Sequence, residues 1–307
     1  MVYTITLNPC IDYAVYADSW EEGKVNRAGK GRSFAGGKGI NVSIVLTNLD
    51  CPNLALGFVG GYTGREIERL VKNKGVKTEF IKIEDESRIN IKVLGKTETQ
   101  FNGAGPNIEE KDVALLYKQL ARLKSGDYLV LSGSVPQSLP SSFYCDILQY
   151  VEGKGVKTIV DTTGQSLLTT LKFKPFLIKP NHHELEELFD VKMETKDDIT
   201  QYAKKLVELG AQNVIISMGG DGAIFTNSDG ALEYVEAPQG KVVDTVGAGD
   251  SVIAGFIAEY VATLSAKRAF YRAVATGSAS AFSDELATKE KSDELYKLIK
   301  KQNGQYL

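Results

Sequence analysis

Short apolar, β-branched stretches recur along this chain between longer stretches of helical period, and that alternation narrows the fold more than any other feature. Residues 2–7, 55–59, 128–131, 158–160, 176–178 and 214–217 read as buried strands, and most of the intervening sequence reads as helix. Strands that are apolar at successive positions have both faces in a core. They therefore belong to a mostly parallel sheet with helices on either side, an α/β fold. Two segments break the rhythm. Residues 13–34, and 88–101 with Ile89, Ile91 and Val93 alternating, are polar with period two and read as strands with one face outside the main core. With bounds of about 12–34 and 88–102, they form a small sheet projecting from the large one. A few-stranded sheet is marginally stable alone, so its apolar face must cover a substrate or a second copy. After Gly247 the chain reads mainly as helices, ending with 292–301, and residues 1–307 read as a single domain with this small sheet as its appendage.

Composition closes off several functions. The 36 basic and 39 acidic side chains nearly cancel, to a formal charge of −3. No long-range field favours nucleic acid or an anionic membrane, so any phosphate must be bound locally. Cys10, Cys51 and Cys145 are odd in number and far apart, which argues against a disulfide framework and against a zinc site. No uncharged run approaches the roughly 18 to 20 residues of a membrane span, and residues 1–7 lack the basic start of a secretory leader. The reading is a reducing, cytoplasmic compartment.

The segment Asp244-Thr245-Val246-Gly247-Ala248-Gly249-Asp250-Ser251 leads into an apolar helical run over 252–262. Two glycines let backbone N–H groups approach an anion, and the following helix adds its positive end. Asp250, in that turn, is placed to accept a proton from a hydroxyl attacking a phosphoryl group. The plainer reading is an aspartate that caps the helix. A second glycine-rich turn, Gly36-Gly37-Lys38-Gly39-Ile40-Asn41-Val42, opens a helix running to about Leu49. It lacks the spacing of a Walker A loop, and no G-x-G-x-x-G follows a strand. It suits a sugar, with Asn41 on hydroxyls and Lys38 near a phosphate, or it is a tight turn with a solvated lysine.

Asp12, just past the first strand in Asn8-Pro9-Cys10-Ile11-Asp12, is where strand ends of open α/β sheets deliver ligand contacts. Lys24 and Arg88, on the projecting strands, are cations suited to a substrate phosphate. In Lys179-Pro180-Asn181-His182-His183-Glu184, Asn181 and Glu184 share a helical face and offer oxygens to Mg²⁺ through its waters; the same spacing is nearly a capping box. Ser217-Met218-Gly219-Gly220-Asp221-Gly222, between two strand-like segments, permits close packing against a ring or phosphate, or is a hairpin turn.

In order and approximate spacing, these segments resemble the PfkB (ribokinase-like) carbohydrate kinases across nearly the whole chain. The resemblance implies a Rossmann-like central, mostly parallel sheet flanked by helices, with a small β-sheet lid. It implies ATP near Lys179, Asn181, Ser217, Met218, Gly219, Gly220, Asp221, Gly222 and Gly249, with Asp250 as base and the Gly247, Ala248, Gly249 and Asp250 amides as anion hole. Asn181 and Glu184 would organise Mg²⁺, and the family leaves room for a monovalent cation. Asp12, Gly37, Lys38, Asn41 and Arg88 would hold the sugar, with Lys24 and Ser134, in Ser132-Gly133-Ser134-Val135-Pro136, as further contacts. Pairing of lids into a homodimer is also implied.

Three further segments are similar to the branch that phosphorylates D-fructose 1-phosphate. They are Ser87-Arg88-Ile89-Asn90-Ile91-Lys92, residues 97–106, and Asp161-Thr162-Thr163-Gly164. Kinases of tagatose 6-phosphate share the core motifs and are the nearest rival; a kinase of nucleosides or unphosphorylated sugars and a silent binding regulator are the others. His182-His183 departs from the family pattern, which has acidic or other polar residues there.

Overall fold

The computed structural model describes residues 1–17, 19–95 and 98–304. Asp18, inside the 13–34 reading, and Thr97, inside the 97–106 segment, lie outside the described residues. From the N-terminus the elements are β1 (Val2–Thr6), β2 (Cys10–Tyr16), β3 (Arg32–Gly36), α1 (Lys38–Asn48), β4 (Asn53–Gly60), α2 (Gly61–Asn73), β5 (Ile81–Ile83), β6 (Arg88–Leu94) and β7 (Thr99–Asn102). There follow α3 (Glu110–Leu120), β8 (Tyr128–Ser132), α4 (Phe143–Val151), β9 (Lys157–Asp161), α5 (Gly164–Thr170), β10 (Leu177–Ile178), α6 (His182–Phe189), α7 (Lys196–Glu208) and β11 (Asn213–Ser217). The chain ends with β12 (Ala223–Asn227), β13 (Leu232–Val235), α8 (Ala248–Thr263), α9 (Ala266–Ala281) and α10 (Lys289–Gln302).

Nine strands form one sheet in the order β13-β12-β11-β10-β9-β8-β1-β4-β5. Neighbours pair in parallel from β11 to β5, and β12 and β13 add an antiparallel edge. Period-two alternation sends successive side chains to opposite cores. Leu129 and Leu131 of β8 join Leu116 and Leu120 of α3, Ile147 of α4 and Leu206 of α7. Tyr128 and Val130 face the other way, onto Val45 of α1, Ile253 and Phe256 of α8 and Phe270 of α9. This double burial is why the strands read as unbroken apolar runs. Because β1 sits between β4 and β8, the chain builds outward on one side and then on the other. The crevice at the carboxyl ends of β1 and β8 is therefore the natural ligand position. No helix of the described residues is long and apolar enough to cross a membrane.

The smaller sheet has the order β3-β2-β6-β7. The 13–34 reading needs correction: β2 begins at Cys10, β3 ends at Gly36, and the described residues between the two contain no strand. Asp12 accordingly lies inside β2, paired with Asn90 of β6, and not in a turn past β1. Helix α8 starts at Ala248, a turn earlier than the apolar run suggests, because Gly247 ends the preceding loop in left-handed backbone. The edge strands β5 and β13, of three and four residues, are too short to show a period and were not foreseen.

Register divides the small sheet's chemistry. Cys10 pairs with Arg88, Asp12 with Asn90 and Ala14 with Lys92, whereas Ile11 pairs with Ile89 and Tyr13 with Ile91. Cross-strand partners share a face. One face is therefore polar, with Asp12, Arg88, Asn90 and Lys92. The other is apolar, with Tyr13, Ile89, Ile91 and Phe101 all exposed.

Candidate active site

The first turns of α1 and α8 face each other. Asn41 Nδ2 of α1 donates to Asp250 Oδ2 at 2.8 Å, across 209 residues of sequence. Asp250 is only 6% exposed, and its side chain does not cap α8; the N-cap is Gly247, with φ of 75°. A Cβ at Gly247 would be strained in that left-handed conformation and would run into Leu286. Gly249 matters differently: a Cβ there would stand 3.2 Å from Lys179 Nζ, so the bare backbone lets a lysine lie against the helix start. Of the amides expected to form an anion hole, that of Ala248 is spent on the carbonyl of Thr245 at 3.2 Å. The amides of Gly247, Gly249 and Asp250 have no acceptor among the described residues and sit at the positive end of a 16-residue helix.

Behind this turn lies a charge cluster that the sequence reading did not foresee. Asp161, at the carboxyl end of β9, is buried; its carboxylate lies 3.3 Å from Lys38 Nζ and 3.7 Å from Lys179 Nζ, and accepts from Ser132 Oγ at 3.0 Å. Burial pushes the Asp161 carboxyl up, but Lys179, Lys38 and the Ser132 hydroxyl outweigh it and hold it below the ordinary range. Lys38 shows the same contest: burial disfavours its charge, yet Asp161, Asp250 and Glu184 together raise its basicity. Asp250 goes the other way. Burial first, and then the negative charge of Asp161, raise it to about 6 against the opposing pull of Asn41, Lys38 and Lys179. A carboxylate so placed is a base near neutrality.

On the nucleotide side, Lys179 follows β10 and is buried, and the 217–222 turn closes the β11–β12 hairpin one strand over. Ser217 pairs with Asn181 across the two loops. The turn is a single 3-10 turn at Gly219–Asp221; Met218 points into the core, Asp221 is exposed, and Gly222 has φ of 94°. Nothing stands within 4 Å of a Cβ built at Gly219 or Gly220, so the backbone there is open to a ligand. Asn181 and Glu184 form a complete capping box at the start of α6. Glu184 N donates to Asn181 Oδ1 at 2.9 Å, and Asn181 N to Glu184 Oε2 at 2.8 Å. The second oxygen of Glu184 stays free of these bonds, and its charge reaches Lys38. The His182 and His183 ring centres lie 3.8 Å apart with the rings tilted by 42°, and His183 is beside Glu186.

The polar lid face supplies the remaining half. Asp12 accepts from Asn90 Nδ2 at 2.9 Å and lies 3.2 Å from Lys92 Nζ. Arg88 donates to Asn8 O and to Asn90 Oδ1, each at 3.2 Å, and Asn8 Nδ2 reaches Ser134 Oγ at 3.5 Å. A cleft of about 1040 Å³ runs between this face and the protein body, lined by Asp12, Gly36, Asn41, Lys92 and Leu286 among others. Gly37 is the N-cap of α1 beneath it. Lys24 is not brought in: it is exposed between β2 and β3, paired with Glu21 at 2.5 Å, and lines none of this cleft. Asp161, Asn90 and Lys92 were missed as site residues. The available signals were a lone acid ending an apolar strand, and polar residues alternating with Ile89 and Ile91 after Arg88.

The chain is similar to known proteins in sequence and in fold. Residues 5–292 match the pfkB family carbohydrate kinase profile. The chain is 42% identical to the 1-phosphofructokinase of Bacillus subtilis, over 98% of this chain and 99% of that protein. It is 34% identical to a tagatose-6-phosphate kinase of Staphylococcus epidermidis, over 97% and 98% of the two chains. A crystal structure of a putative phosphofructokinase from Staphylococcus aureus superposes with a TM-score of 0.86 at 40% identity, covering 97% of each chain. With the profile spanning nearly its whole length, the chain belongs to the pfkB family of carbohydrate kinases.

Proposed function

We propose that this kinase transfers the γ-phosphoryl group of ATP to the free primary hydroxyl of D-fructose 1-phosphate, giving fructose 1,6-bisphosphate and ADP. The observation that carries this reading is the pairing of a buried, elevated carboxylate at a helix N-terminus, Asp250, with a lid face on which Asp12 stands between Arg88 and Lys92. The similarity to 1-phosphofructokinase at 42% identity, against 34% for a tagatose-6-phosphate kinase, favours fructose 1-phosphate as the acceptor.

In the reaction, Asp12 and Asn41 orient the sugar hydroxyls, and Arg88, with Lys92 nearby, meets the phosphate already present. Asp250 takes the hydroxyl proton as the sugar oxygen bonds to the γ-phosphorus. The bond from that phosphorus to the bridging oxygen breaks, and its electron pair leaves with ADP. The free amides of Gly247, Gly249 and Asp250 donate to the transferring oxygens, while Lys179 and Lys38 supply positive charge. ATP lies along Lys179, Ser217 and the open Gly219–Gly220 backbone. Among the described residues no group of three or more acidic, His or Cys side chains forms a cage for a metal. The free oxygen of Glu184 and the side chain of Asn181 are oxygen donors suited to Mg²⁺ carried on nucleotide phosphates, which they would hold through water. Bound there, Mg²⁺ would neutralise phosphate charge.

The exposed apolar lid face of Tyr13, Ile89, Ile91 and Phe101 is read as the seat of a second copy, in a cytoplasmic homodimer paired through its lids.

Four outcomes test this reading. Across fructose 1-phosphate, fructose 6-phosphate, tagatose 6-phosphate and fructose, kcat/KM for ADP release is highest with fructose 1-phosphate; a preference for tagatose 6-phosphate would replace the substrate and leave the base in place. Asp250→Asn lowers kcat by about 1000-fold. The same variant melts at a higher temperature at neutral pH, because a buried carboxyl raised to about 6 loses stability as pH climbs from the ordinary aspartate range through that value. Near wild-type kcat would remove Asp250 as the base. Ile91→Asp converts the dimer to monomer in light scattering; an unchanged mass would place the subunit contact elsewhere.

A further inference from the structure

We infer that Asn90 is a positioning residue that joins the hydroxyl-binding carboxylate of Asp12 and the phosphate-binding guanidinium of Arg88 into one rigid recognition unit; this rests on the sugar-phosphate kinase reading above. Asn90 is 7% exposed, and every hydrogen-bonding position of its amide is engaged. Its Nδ2 donates to Asp12 Oδ1 at 2.9 Å and to Cys10 Sγ at 3.1 Å. Its Oδ1 accepts from Arg88 at 3.2 Å and from the Gly103 amide at 3.2 Å. A side-chain amide has two donors and two acceptor lone pairs, so none is left over.

That saturation fixes the orientation. Flipping the amide would aim its N–H groups at a guanidinium and a backbone N–H, and its oxygen at a carboxylate. A charged residue in its place fails on one side. An aspartate accepts from Arg88 but repels Asp12; a cationic side chain pairs with Asp12 but repels Arg88. The neutral amide donates to the anion and accepts from the cation, and has the two further positions that Cys10 and the Gly103 amide engage. The paired register of Asp12 and Asn90 places these groups side by side on the polar face of the lid. With the two anchors locked, the lid does not have to order them separately when the sugar phosphate arrives, which lowers the entropic cost of binding.

The charged and titratable groups facing Asn90 are Asp12 and Cys10 from β2 and Arg88 and Lys92 from its own strand; β7 contributes the neutral Asn102, and the residue after it the Gly103 amide. Asn90→Ala and Asn90→Asp separate positioning from packing. For Asn90→Ala, KM for fructose 1-phosphate rises by about tenfold or more, while KM for Mg²⁺-ATP stays within about twofold of wild type. For Asn90→Asp, the sugar-phosphate KM relative to wild type is high at about pH 8 and falls toward wild type at about pH 6, because a proton taken up between the two carboxylates restores a donor to Asp12. Unchanged sugar-phosphate KM in both variants would overturn the inference. So would a penalty in Asn90→Asp that is the same at every pH, or an equal rise in both KM values, since either marks a packing role. Wild-type enzyme that fails to turn over fructose 1-phosphate would sink the parent reading and this one together; wild-type turnover with indifferent variants would sink this one alone.

Discussion

One buried carboxylate, Asp161, holds the catalytic half of this molecule together. It stands at the carboxyl end of β9 between Lys38, from the turn under the lid, and Lys179, from the loop after β10. Taking such charges out of water costs several kcal/mol per ion unless they are paired and hydrogen-bonded, and Ser132 completes the pairing. With Asp250 the cluster contains two cations and two anions, and its balance sets the chemistry. Asp161, Asp250 and Glu184 hold Lys38 charged beside the turn proposed to receive a phosphoryl group. The negative charge of Asp161 adds to burial in making Asp250 a stronger base than a free aspartate. Removing Asp161 would leave two ammonium groups facing each other across the crevice.

The lid follows a different rule, the period of two. Strand β6 puts Arg88, Asn90 and Lys92 on the polar face of the lid, where Lys92 lines the cleft, and Ile89 and Ile91 on the other, so one short strand carries both the face proposed for substrate and the apolar face proposed for pairing. A one-residue slip in register would exchange those faces, burying cations against a partner and exposing isoleucines to the sugar. The hydrogen bonds that Asn90 donates to Asp12 and accepts from the Gly103 amide oppose such a slip on both sides of β6.

Much of the large sheet was legible because its strands are buried on both faces, which leaves an unbroken apolar signature in single segments. The turn holding Asp250 stood out because flanking glycines constrain the backbone locally. What the sequence hid depends on register between distant strands. Asp161 gains its meaning only when β9 lies beside β8 and β10, and Asn90 only when it pairs with Asp12, 78 residues away. Lys24 shows the converse: a cation in a projecting segment suggested a phosphate contact, yet the chain between β2 and β3 carries it to an exposed pairing with Glu21. At Asn181 and Glu184 the structure shows the capping box, which uses one oxygen of each side chain and leaves the second carboxylate oxygen of Glu184 outside these bonds.

The pH dependence of kcat at saturating Mg²⁺-ATP and fructose 1-phosphate tests the central claim most directly, because kcat reports groups in the bound complex and is blind to ionisation of the free sugar phosphate. A base must be ionised to act, and burial with the charge of Asp161 raises Asp250 to about 6. The rate should therefore be level above that value and fall about tenfold per pH unit below it. A limb in the ordinary aspartate range near about 4, or a rate flat across it, would contradict a base poised by this charge cluster.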